Sequence, residues 1–120
     1  MQSTQALTTP EKPMCEGERK DALTLCCSQL TREGYTVSCI VGIRTRRGPR
    51  PPDLLATNGT RVIRVFVLLE RELDAAETKV RIKASLHEGE TRVYVPWPLR
   101  WRALSNLDRW RLDGVAVATW

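Results

Sequence analysis

The sequence predicts an α/β domain of three layers, with a mixed central sheet of about five strands and helices on both faces. Three observations lead there. Residues 51–72 read as a β-hairpin about Asn58-Gly59, a dipeptide that accepts positive φ and suits a two-residue turn. The second arm, residues 62–69, is apolar apart from Arg64, as expected of a central strand buried on both faces. Amphipathic helical patterns flank the hairpin, and strand and helix patterns alternate after it.

Taken in order, residues 1–13 are polar and rich in Thr, Gln and Pro, and read as a flexible tail ahead of one domain at 14–120. Residues 16–33 read as a helix, because Leu23, Cys26, Cys27 and Leu30 recur at i, i+3, i+4, i+7. Gly34 is placed to cap it in the left-handed conformation. Residues 35–43 alternate, with Tyr35, Val37, Cys39, Val41 and Ile43 on one face of a strand. Residues 44–52 form a basic loop with Pro and Gly. In the hairpin, a turn centred on Asn58-Gly59 sets Leu54 against Ile63 and Asp53 against Arg64.

Asp74 and Glu77 suggest a capping box for a second helix over 75–87. Ala76, Val80, Ile82 and Leu86 mark its inner side, and Lys79, Arg81 and Lys83 stay in water. A short strand at 91–95 turns Val93 and Val95 inward. Pro98 suits the first turn of a third helix, whose face carries Leu99, Ala103, Leu107 and Trp110. Residues 115–120 form the last strand.

Composition narrows the function. The chain has 120 residues, 42% hydrophobic and 28% charged, enough for one modest core. No apolar run approaches a membrane span, so no membrane partner is expected. Net charge is +5, and Arg44, Arg46, Arg47 and Arg50 crowd one segment. Arginine makes bidentate contacts with phosphate, so this loop, with Lys79 and Lys83, is the candidate nucleic-acid surface. Four cysteines show no Cys-x-x-Cys pairing, and His87 stands alone, which argues against zinc. They read as small hydrophobes in a reducing cytoplasm, with Cys15 the candidate for a disulfide. Trp97 and Trp101, flanked by Arg100 and Arg102, suit either base stacking or a protein interface such as a homodimer.

The order of elements, helix–strand–strand–strand–helix–strand–helix–strand, resembles the core of the PD-(D/E)xK nuclease superfamily, the restriction endonuclease-like fold. The matching residues are the helix end Arg32-Glu-Gly-Tyr35, then Arg50-Pro-Pro-Asp-Leu-Leu-Ala56, Asn58-Gly59, the apolar strand at 62–69, and Tyr94-Val-Pro96. The resemblance covers about residues 16–120. It implies that Asp53 stands at the position of a metal-ligating Asp. A carboxylate and a Lys two residues later should complete the Mg²⁺ site. Arg64-Val-Phe66 falls there instead, and a slide of two residues brings Phe66-Val-Leu68. The expectation is therefore a degenerate site at Asp53, Arg64 and Phe66, with no metal, in which Arg64 pairs with Asp53 in the ion's place. The expected function is a nucleic-acid-binding pseudonuclease, for DNA more than RNA. A protein-interaction or dimerisation module on the same fold is the alternative. A third reading keeps Mg²⁺-dependent cleavage, at a migrated site of Asp53, Glu70 and Lys79 or Lys83.

Overall fold

The computed structural model describes residues 11–40 and 50–120, with side chains from residue 17 onward. Helix α1 (Glu11–Arg32) leads into strand β1 (Thr36–Cys39). The hairpin follows as β2 (Leu54–Asn58) and β3 (Arg61–Val67). Helix α2 (Ala76–Glu88) connects to β4 (Glu90–Val95), and α3 (Arg100–Arg109) connects to β5 (Ala116–Thr119). Short 3₁₀ turns, Glu70–Glu72 and Trp97–Leu99, precede α2 and α3. Helix α1 begins inside the stretch read as a tail.

The five strands lie in chain order, β1-β2-β3-β4-β5, with β3 central. The first three pair antiparallel, and β3, β4 and β5 are parallel to one another. Helix α1 covers one face, where Ala22, Cys26 and Leu30 pack on Leu54, Ala56, Ile63, Val65, Val67 and Tyr94. Helices α2 and α3 cover the other, where Ile82, Ala103 and Leu107 pack on Phe66, Leu68, Val93 and Val95. The three-layer α/β architecture with a mixed sheet is as the sequence predicts. Residues 65–67 of β3 are buried on both faces, which is why their run is apolar without alternation.

The hairpin register differs from the expected one. Of Asn58 and Gly59, only Gly59 has positive φ, at 64°, and Asn58 pairs with Arg61. The loop is thus Gly59-Thr60, the glycine-first pattern of a type II′ turn. Leu54 faces Val65, Ala56 faces Ile63, and Leu55, not Asp53, faces Arg64. The slip has a physical reason. The expected register would press Arg61 against fully buried Ala56. The observed one moves Arg61 to the hairpin end, where it bonds both carboxylate oxygens of Glu90 at 2.9 and 2.6 Å.

Helix α2 is rotated from the expected phase. Thr78, Arg81, Ile82 and Ser85 are buried, whereas Ala76 and Val80 are exposed. Asp74 does not cap it, because Ala75 is the N-cap residue and has no side-chain bond. Asp74 instead accepts from Asn106 at 2.7 Å and pairs with Arg102. Strand β1 is a short outer strand; Tyr35 is buried, but Cys39 is exposed. Val41 and Ile43 lie outside the described residues.

Helices α1 and α3 end alike. The N–H of Tyr35 reaches the Leu30 carbonyl and that of Gly34 the Thr31 carbonyl, both at 3.0 Å. The N–H of Leu112 reaches Leu107, and that of Arg111 reaches Asp108, again at 3.0 Å. This Schellman pattern needs a left-handed residue, which Gly34 supplies at φ 99° and Arg111 at φ 59°. A residue with a Cβ is strained there. Arg111→Gly is expected to stabilise the protein by about 0.5–1 kcal/mol, read as a higher urea midpoint with unchanged slope. A lower midpoint would contradict this account of the cap.

Candidate functional site

Pro51 and Pro52 have no N–H to give, so the β2 ladder ends as the chain runs back through them. Strand β3 continues past that point, and Val67 is left with an N–H and a carbonyl inside the core. Such groups must be satisfied. Two side chains do so. Oδ2 of Asp53 accepts the Val67 N–H at 2.7 Å, and Nη1 of Arg19 donates to the Val67 carbonyl at 3.2 Å. Arg19 is held in turn by Glu72, whose other oxygen accepts the Leu69 N–H at 2.9 Å.

Asp53 is buried, so its charge needs a partner. That partner is Arg81, not Arg64. Arg81 Nη2 lies 3.4 Å from Asp53 Oδ1 and donates to the Pro51 carbonyl at 2.9 Å. Its guanidinium stacks over Phe66, 4.9 Å from the ring centroid, and is only 4% exposed. Arg81 was expected in water; the rotation of α2 brings it inside. Arg64 turns away, donating to Ser85 Oγ at 3.0 Å and pairing with exposed Glu88 at 3.2 Å. Extending the register by one residue sets Asp53 against Phe66. The structure thus selects Phe66-Val-Leu68 over Arg64-Val-Phe66 as the segment beside Asp53.

This neighbourhood does not fit Mg²⁺. That ion takes six oxygens, usually one or two carboxylates and several waters. Here Asp53 has one oxygen on Val67 and the other facing a guanidinium, and Phe66 and Leu68 offer carbon alone. Among the described residues, no three His, Cys, Asp or Glu side chains converge. Glu70 pairs with Arg102 at 3.4 Å rather than joining Asp53, and Lys79 and Lys83 lie exposed on α2. No described contact unites the residues of the migrated site.

Exposed Arg50 and the two exposed tryptophans lie at one end of the sheet. Cys39 and Leu54 are paired, and Leu54 faces Val65. The chain therefore leaves β1 and re-enters β2 at the carboxyl ends of the parallel strands. Arg44, Arg46 and Arg47 lie in residues 41–49, outside the described residues. The two anchors of that segment are fixed: Ile40 N–H bonds the Asp53 carbonyl at 3.0 Å, and the Arg81 guanidinium reaches the Arg50 and Pro51 carbonyls. Arg50 is exposed and lies 3.8 Å from Glu77.

Trp97 and Trp101 follow β4 at the same end, 68% and 76% exposed. The Trp97 N–H is bound to the Trp120 carbonyl at 3.0 Å. Arg100 stacks on Trp101, 5.4 Å from the ring. Beside them lies an open groove of about 710 Å³, lined by Glu18, Leu69, Glu70, Arg71, Pro96, Pro98, Leu99 and Arg102. Hydrogen bonds from Arg102, then Asn106, hold the Asp74 carboxyl below its ordinary range. A depressed carboxyl contributes stability above its unfolded pKa, and that contribution is lost as pH falls through the folded value. Burial pushes the Cys26 thiol up to about 12, which leaves it no thiolate for chemistry at neutral pH.

Sequence reasoning missed Arg19, Glu72, Arg81 and Asn106. Arg81 had a signal: Thr78, Arg81, Ile82 and Ser85 also recur at i, i+3, i+4, i+7. Compared with protein-family models, curated proteins and solved structures, the chain matches none.

Arg81→Met strands Asp53 in the core and is expected to cost about 3–5 kcal/mol in urea unfolding. Adding Asp53→Asn should recover more than half of that loss, because no isolated charge remains. Arg64→Leu removes a largely solvent-screened pair and should cost no more than about 1 kcal/mol. Equal losses for Arg64→Leu and Arg81→Met would refute this assignment of partners.

Proposed function

We propose that the protein is a nucleic-acid-binding pseudonuclease: a PD-(D/E)xK-like domain that holds a polyanion without cutting it. The observation that carries this reading is the convergence at one sheet end. The anchors of the Arg-rich segment, the Asp53–Arg81 pair and the two exposed tryptophans all lie at the carboxyl ends of the parallel strands. Open α/β sheets bind ligands outside those ends. The strand order and the position of Asp53 support the nuclease-like architecture. The guanidinium of Arg81 beside Asp53 supports the absence of metal chemistry. The reading includes DNA rather than RNA as the favoured partner and a reducing cytoplasm as the location. For the latter, Cys26, Cys27 and Cys39 stand as free thiols. Among the described residues, no helix is long and apolar enough to cross a membrane.

A second reading, a protein-interaction or dimerisation module, draws on one specific feature, the exposure of Trp97 and Trp101. The two separate in a titration of labelled duplex across salt. Counterion release requires affinity to fall steeply between about 50 and 200 mM salt. Replacing Arg44, Arg46, Arg47 and Arg50 by Ser should weaken binding and flatten that slope. The duplex should stay intact with Mg²⁺ or Mn²⁺. Cleavage abolished by Asp53→Ala would restore the nuclease reading. Absence of binding at about 50 mM salt, with a dimer by light scattering, would favour the interaction module.

A further inference from the structure

Trp110 and Trp120 pack against the two cores. Trp97 and Trp101 are left out of both, one helical turn apart in sequence. Their mounts are firm. The backbone of Trp97 is tied to Trp120 at the end of the last strand and lies between Pro96 and Pro98, whose φ is fixed. Trp101 sits in the first turn of α3. Arg102, next in the chain, is fastened to both Glu70 and Asp74. Arg100 and Arg71 form no ion pair among the described residues. The surface thus offers two exposed indole rings on fixed backbone, with the Arg100 guanidinium stacked on one of them and outside any ion pair among the described residues.

We propose that Trp97 and Trp101, with Arg100, form a base-stacking platform for single-stranded nucleic acid. The inference rests on the nucleic-acid reading above and narrows it. Stacking needs bases with an open face, which a strand provides and an intact duplex withholds, and cations beside the rings hold the backbone. The cation beside the rings favours a polyanion as the occupant, because a guanidinium makes bidentate contacts with phosphate. A second copy docked about a two-fold axis would bring the same arginines together across the interface.

The test is fluorescence anisotropy of a labelled oligothymidylate of about 20 nucleotides, the same length of abasic strand, and a matched duplex, at about 50 mM salt. Oligothymidylate should bind more tightly than the abasic strand. Trp97→Ala and Trp101→Ala should each weaken oligothymidylate binding about tenfold, in the range found for loss of a stacked base. Melting temperatures should be unchanged, and Trp101→Phe should retain most of the affinity. Duplex binding through the Arg-rich segment should be nearly unaffected. Equal affinity for the abasic strand, or Trp variants that bind like the parent, would overturn the platform while duplex binding kept the broader reading intact. A parent protein that binds neither strand nor duplex overturns both. A parent dimer dissolved by Trp101→Ala would assign the surface to self-association and overturn the platform.

Discussion

The carboxylate of Asp53 governs how the sheet ends. Two prolines stop β2 two residues short of where β3 stops, and a buried backbone cannot be left open there. Asp53 takes the Val67 N–H, and Arg19 takes the carbonyl. The first solution buries a negative charge, which calls for a buried cation, and Arg81 provides it from α2. The same guanidinium reaches the Arg50 and Pro51 carbonyls and covers Phe66. One local break in the backbone hydrogen bonding thus fixes the rotation of α2 and the base of the Arg-rich segment.

The architecture was legible because it depends on patterns averaged over many residues. The run at 62–69, the stripe of Cys26 and Leu30 and the alternation after residue 74 each survive errors of one position. The site was less legible because it depends on single positions. Asn58-Gly59 and Gly59-Thr60 both make two-residue turns that match strand twist. The choice between them was made by Arg61, which gains Glu90 in one register and meets Ala56 in the other. The hydrophobic content of α2 pointed to Val80, which is 52% exposed. The helix instead buries Thr78, Arg81 and Ser85, because its neighbours are polar: the Glu72 carbonyl, Asp53 and Thr91. A stripe chosen by hydrophobicity cannot find a face selected by hydrogen bonding. Asp74 resembles a cap for the same reason; its stronger partners, Arg102 and Asn106, are distant in sequence.

Charge is arranged differently at the two ends of the sheet. Near the hairpin turn, arginines on the strands meet carboxylates on neighbouring elements: Arg61 with Glu90, Arg92 with Glu33 and Arg64 with Glu88. These pairs tie strand to strand, or strand to helix. At the carboxyl end, Arg19, Arg81 and Arg102 are engaged in closing the fold, while Arg71, Arg100 and Lys79 have no ion-pair partner among the described residues. Arg50 has only a loose contact with exposed Glu77. The same end carries the exposed tryptophans, so positive charge and aromatic surface coincide where the architecture leaves an open end.

Under the proposed reading, Arg81 also gives Asp53 a reason to remain. A metal-ligating carboxylate that lost its ion would be a buried, uncompensated charge, costly enough to favour its replacement. Once a guanidinium stands beside it and a backbone N–H leans on it, replacement becomes the costly step. Asp53→Ala would leave Arg81 unpaired and the Val67 N–H unsatisfied at once. Retention of such an aspartate therefore needs no catalysis. The carboxylate completes the hydrogen bonding of the sheet, and the guanidinium that depends on it binds the Arg50 and Pro51 carbonyls, where the chain returns to the sheet.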